Sequence, residues 1–153
     1  MKKIRKSSEF TTKIEDLKAI YLSYVRGTLE QSSVLWGSTL SEENKSDIER
    51  VQKNACRIIL GKNYTSYEES LHLIGLETLE QRRKHLALKF GENCIDNKKT
   101  RKLFPLRKKA HKLKTRKEEK FKILKSKKKR LQTSTIPFLR KLLNDNYFKN
   151  HKL

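Results

Sequence analysis

From residue 91 to 153 the chain carries 22 Lys or Arg against 5 Asp or Glu, a net of +17, whereas residues 1–90 carry 16 against 12, a net of +4. This imbalance limits what the C-terminal part can fold into, because like charges at that density oppose compaction and leave few positions for a core. The extreme runs from Asp96 to Arg130, where 18 Lys or Arg face three acids, Asp96, Glu118 and Glu119. Its apolar residues, Leu103, Phe104, Leu106, Leu113, Phe121, Ile123 and Leu124, are too thinly spread to build a core of their own. Residues 95–132 therefore read as a basic arm, extended or nascently helical and partly disordered.

Folding capacity sits in the front half, and its periodicity is helical. Ile48, Val51, Ala55, Ile58 and Ile59 recur at intervals of three and four, with Glu49, Arg50, Lys53, Asn54 and Arg57 on the remaining surface. Ser41-Glu-Glu offers an N-cap with acids behind it, and Gly61 a stop, so Asp47–Gly61 reads as the best-defined helix. Before it, Leu17, Ile20, Tyr21, Tyr24 and Val25 repeat at helical spacing, and Leu29, Ser32 and Trp36 prolong the face, predicting a first helix over about 13–37 with a bend at Gly27. The aromatics on that stripe read as core in preference to a base-stacking platform. Ser66 and Glu69 have capping-box spacing and open a short helix with Tyr67, Leu71 and Ile74 that ends at Gly75. Thr78 and Gln81 open a fourth, whose apolar residues are Leu79, Leu86, Ala87 and Phe90. Thr133-Ser-Thr with Pro137 in the first turn starts a last helix, and its narrow stripe of Leu139, Leu142 and Leu143 requires a surface to dock on.

The expected fold is all-α, a small bundle of about four helices followed by the basic arm and a short C-terminal helix. The corresponding divisions are a basic tail at 1–12, a helical domain at 13–94, the arm at 95–132 and a final helix with its tail at 133–153. Apolar runs of about 18 residues or more, as a membrane span needs, do not occur in the sequence. Met1-Lys-Lys-Ile-Arg-Lys has no apolar stretch behind it, so secretion is not expected. Cys56 and Cys94 lack the spacing of a ligand pair, consistent with a reducing compartment, and Cys56 reads as a small buried side chain.

Catalytic constellations are not evident. Asp16, Asp47, Asp96 and Asp145 are scattered, without the adjacent pair that two-metal polymerases use. His72, His85, His111 and His151 have no partner at zinc-ligand spacing, and glycine-rich phosphate loops and nucleophile elbows are missing. No enzymatic activity, metal or cofactor is expected of the chain alone. The positive signal is for phosphate. Arg82 and Arg83 open an amphipathic helix, and Lys98, Lys99, Arg101, Lys102, Arg107, Lys108, Lys109, Lys112, Lys114, Arg116, Lys117, Lys127, Lys128, Lys129 and Arg130 follow in the arm. Such a polycation binds RNA or DNA backbones through counterion release, without reading bases.

Several strings occur together in a familiar order. They are Ile20-Tyr-Leu-Ser-Tyr-Val-Arg26 with Leu29-Glu30 and Trp36; Ile48-Glu-Arg-Val-Gln-Lys-Asn-Ala-Cys-Arg-Ile-Ile-Leu-Gly61; and Tyr67-Glu-Glu-Ser-Leu71 followed by Gly75-Leu-Glu-Thr-Leu-Glu-Gln-Arg-Arg83 and Phe90. Phe104-Pro105, Lys120-Phe121-Lys-Ile123 and Ser134-Thr-Ile-Pro-Phe-Leu-Arg-Lys-Leu-Leu-Asn144 continue the series. Over about residues 14–147 this resembles the region just downstream of the polymerase core in reverse transcriptases of jockey-like non-LTR retrotransposons. The resemblance implies that the front helices correspond to the thumb, which grips the template–primer duplex, and that the basic arm handles RNA or target DNA. It also implies that fingers and palm, with the aromatic-x-Asp-Asp metal loop of an RNA-directed DNA polymerase, belong upstream of this stretch. Gln31 departs from the Tyr that commonly follows Leu-Glu in the family.

The expectation is therefore a non-catalytic C-terminal fragment of such a reverse transcriptase, intracellular, in the nucleus or in both nucleus and cytoplasm, that binds nucleic-acid backbones or the rest of the polymerase. The alternative is a domesticated host protein that docks a protein partner on its helices, with the tail as a nuclear address. A cationic membrane-surface role is weaker, since the arm lacks a sustained apolar face to set into lipid.

Overall fold

The computed structural model describes residues 13–106, 120–123 and 127–150, apart from the side chains of 148–150. The protein is all-α. Its elements are α1 (Ile14–Ile20), a π-helical stretch (Tyr21–Arg26), α2 (Gly27–Glu30), α3 (Ser33–Trp36), a 3₁₀ turn (Gly37–Thr39), α4 (Glu42–Leu60), a second 3₁₀ turn (Gly61–Asn63), α5 (Tyr67–Ile74), α6 (Leu79–Asp96), a third 3₁₀ turn (Arg101–Leu103), α7 (Lys129–Gln132) and α8 (Thr135–Asn150). Among the described residues extended pairing is limited to one isolated antiparallel bridge, Leu106 with Phe121.

Packing groups the chain into two units, one of Met1–Ser33 with Leu40–Arg83 and the other of Val34–Thr39 with Lys84–Leu153. The first unit closes around Leu17, Tyr21, Ala55, Cys56, Ile59, Leu60, Leu71 and Ile74. Its helix ends follow the sequence signals. Ser41 Oγ accepts from the Asn44 N–H at 3.2 Å and opens α4, which ends at Gly61. Ser66 Oγ accepts from the Glu69 N–H at 3.3 Å, while the Glu69 carboxylate takes the Thr65 hydroxyl instead of completing the capping box. The Thr78–Gln81 box is reciprocal, with N–H to side-chain bonds of 3.2 and 3.4 Å. Gly75 sits at φ +67°, a left-handed conformation that would strain a side chain, and lets the Leu76 N–H turn back to the Leu71 carbonyl at 2.8 Å. The Lys18 ammonium donates to the Ile74 carbonyl beside it, at the negative end of α5.

Three details depart from the periodicity. The first helical stretch is interrupted at Ser32, with φ +54°, and not bent at Gly27, whose φ of −55° is ordinary helix. The π-helical geometry at Tyr21–Arg26 adds a residue to the turn, so Tyr24 rotates out to 75% exposure while Leu22 and Val25 pack on the core. The buried face of α4 is Gln52, Ala55, Cys56, Ile59 and Leu60, turned by one position from the apolar stripe, and Val51 is exposed. Gln52 is fully buried because its carboxamide is saturated. It accepts from the Tyr21 hydroxyl at 2.6 Å and donates to the Tyr67 hydroxyl at 3.1 Å and the Glu77 carbonyl at 2.9 Å. Tyr67 in turn donates to Glu49, whose carboxylate also receives the Leu79 N–H at 3.2 Å.

The second unit closes around Ala87, Cys94, Phe104, Phe121, Leu139 and Leu143. This corrects the reading of 95–132 as an arm without core residues. Phe104 and Phe121 are 3% and 4% exposed and meet edge to face, with ring centroids 6.2 Å apart. Sparse apolar residues suffice because α6 and α8 supply the rest of the surface. The α8 stripe docks within the same unit: Leu139 and Leu143 are buried, and a Cβ built on Gly91 would stand only 3.1 Å from Leu143 Cδ1, so glycine permits the helices' close approach. Val34 packs on this core, and the Thr135 hydroxyl donates to the Leu35 carbonyl at 3.0 Å.

Candidate nucleic-acid interface

The two units divide the charge unequally. The first contains 14 Lys or Arg against 12 Asp or Glu, a net of +2, and the second 24 against 5, a net of +19. The ion pairs Arg26–Glu30, Lys45–Glu42, Arg50–Asp47, Arg82–Glu30 and Arg82–Glu77 belong to the first unit.

Arg82 and Arg83 thus fall on the near-neutral side. Arg82 lies between Glu30, at 3.1 Å from Nε, and Glu77, at 3.7 Å from Nη1. Arg83 is 8% exposed, and its Nη2 is buried without a hydrogen-bond partner. It occupies the inner face of α6, in line with Leu79, Ala87, Gly91 and Cys94, all buried. The adjacent arginines are therefore not a paired outward display.

Lys98, Lys99, Arg101 and Lys102 are exposed just past the C-terminus of α6. Local bonds explain why the chain turns there. Asn97 Oδ1 accepts from the Lys99 N–H at 2.9 Å, the Thr100 hydroxyl donates to the Cys94 carbonyl at 2.7 Å, and Arg101 Nε donates to the Ile95 carbonyl at 2.7 Å. These bonds cap terminal helix carbonyls and place cations where the helix dipole favours them. Lys127, Lys128, Lys129 and Arg130 are exposed at the start of α7. Arg107, Lys108, Lys109, Lys112, Lys114, Arg116 and Lys117 lie outside the described residues.

Sequence reasoning passed over four residues at this surface. Lys120 and Lys122 are exposed on the segment that pairs with Leu106, and the Lys120 ammonium stands 5.7 Å from the Phe121 ring centroid and 4.9 Å from that of Tyr147. Arg140 and Asn144 are buried on α8 and hold the backbone beneath those lysines. Burial pulls the Arg140 guanidinium below its ordinary pKa. Spacing offered one signal: residues 140 and 144 are polar, one turn apart, within the Leu139/Leu143 stripe.

Between residues 91 and 130 the sequence has two aromatics, Phe104 and Phe121, and both are buried. Among the described residues of that stretch, no Phe, Tyr or Trp ring is exposed for stacking a base. Among the described residues, no three His, Cys, Asp or Glu side chains come together in a group able to hold a metal ion, and no helix is long and apolar enough to cross a membrane. Comparison with known protein families, with curated proteins and with solved structures gives no match to this chain.

Proposed function

We propose that the chain is a nucleic-acid-holding module of the kind found behind the catalytic core of non-LTR reverse transcriptases, and that it binds the phosphate backbone of RNA and DNA without reading sequence. The observation that carries this reading is the partition of charge. A unit with net +19 displays Lys98, Lys99, Arg101, Lys102 and Lys127 to Arg130, whereas the near-neutral unit offsets its cations with its own acids. Burial of Phe104 and Phe121 favours backbone contact over base stacking, so duplexes and single strands bind through the same cations. The thumb-like assignment is drawn from the order of the motifs along residues 14–147.

A gel-shift titration tests the binding. If about six phosphates are neutralised, the association constant falls with roughly the fifth power of salt concentration. A flat salt response, or no retention of duplex at low salt, removes the reading. The family assignment is tested separately by genomic DNA 5′ of the Met1 codon: a palm segment with an aromatic-x-Asp-Asp loop supports it, and unrelated sequence argues against it.

A further inference from the structure

Five hydrogen bonds in the second unit join the side chains of Arg140 and Asn144 on α8 to main-chain atoms of Leu103, at the end of the third 3₁₀ turn, and of Phe121 and Lys122. Asn144 Oδ1 accepts from the Phe121 N–H at 2.9 Å, and its Nδ2 donates to the Phe121 carbonyl at 3.0 Å, so one carboxamide does what a neighbouring strand would do. One turn earlier, Arg140 donates through Nε and Nη2 to the Leu103 carbonyl, at 2.8 and 2.5 Å, and through Nη1 to the Lys122 carbonyl at 3.1 Å. The Lys122 N–H completes the joint by donating to the Pro105 carbonyl at 3.0 Å. Asn144 and Arg140 are 2% and 6% exposed, so their polar atoms are committed to these bonds.

The main chain fixed in this way is the part that carries Lys102, Lys120 and Lys122, all exposed. Gathering three ammonium groups on adjoining segments is opposed by their repulsion, and an unstructured arm would have to overcome it each time it met a polyanion. We infer that Arg140 and Asn144 are positioning residues for nucleic-acid binding, clamping Leu103, Phe121 and Lys122 so that Lys102, Lys120 and Lys122 stand as one pre-arranged cationic edge for backbone phosphates. This rests on the nucleic-acid reading and adds that the affinity depends on two residues that touch no phosphate.

The variants Asn144→Ala and Arg140→Lys leave the net charge unchanged, so a pure polycation would bind equally well with either. With a labelled duplex RNA at fixed low salt, both lose roughly three- to tenfold in affinity, and the salt exponent shrinks by about one to two as the edge disperses. Circular dichroism on the same samples reports whether the helices persist. Hydrogen exchange on the unaltered protein requires no folded variant: because coupling is reciprocal, saturating duplex must raise protection of the Phe121 and Lys122 amides. Variants that stay helical and bind as the parent does overturn the inference, as does unchanged protection at those amides under saturation. If the parent protein does not bind, or binds without salt dependence, the nucleic-acid reading itself has failed and this one falls with it.

Discussion

In the first unit the buried Gln52 is a hub that joins the Tyr21 and Tyr67 hydroxyls and the Glu77 carbonyl; in the second, Asn144 and Arg140 grip backbone. The difference follows from what each unit has to hold. The first packs helices whose main chain is largely bonded within them, so Gln52 finds two tyrosine hydroxyls and, in the turn between helices, one carbonyl. The second holds the end of a 3₁₀ turn at Leu103 and the segment at Phe121 and Lys122, which has one isolated bridge for support, and α8 supplies further partners to both. Charge follows the same division: the first unit has nearly as many acids as cations, and the second has 24 cations against 5 acids.

Charge removal should give the largest contrast. Replacing Lys98, Lys99, Lys102, Lys127, Lys128 and Lys129 by Gln is expected to weaken duplex binding on the order of a hundredfold at low salt and flatten its salt dependence. The same number of Gln replacements at Lys13, Lys45, Arg50, Lys53, Arg57 and Lys62 should leave the salt exponent as it was. Equal losses from the two sets, read by gel shift, would erase the distinction between the units. Next, Gln52→Leu strands the Tyr21 hydroxyl and the Glu77 carbonyl in the core and should cost about 2–4 kcal/mol in urea unfolding, without altering the affinity of the folded protein. Gly91→Val drives a branched side chain into Leu143 and should cost about 1–3 kcal/mol, this time with weakened binding because α8 carries the clamp.

The smallest effect is alkaline. Burial, the largest cause, pushes the Cys56 thiol from an ordinary value of 9.0 up to about 11, and burial likewise raises Tyr21 and Tyr67. A folded state that holds its proton more tightly than the unfolded chain is favoured below the unfolded pKa and loses that advantage as pH climbs. Stability of the first unit should therefore decline between about pH 9 and 11, and Cys56→Ala should make the decline shallower in a pH series of thermal melts.

Local signals were legible where chemistry is local. Ser41, Ser66, Thr78, Gly61 and Gly75 mark helix ends through bonds to residues within a few positions, and the helices begin and stop there. Placement of polar residues was not. Gln52 and Arg83 lie on buried faces, one held by groups 15 to 31 residues away in sequence and the other in line with small residues of α6, and periodicity counts both as surface. The lysines of the interface could be read from composition, since nothing need be folded to place them outside. What anchors them could not: Phe104 and Phe121 look isolated in a basic stretch until Asn144, 23 residues on from Phe121, is brought against it.

Leu106 pairs with Phe121, so positions fifteen apart in the sequence meet at a single joint. Seven of the thirteen residues at 107–119 are Lys or Arg. Insertions and deletions there would therefore change the net charge in small steps, and with it any attraction for polyanions, a dial that drift or selection can turn without replacing the buried Phe104 or Phe121.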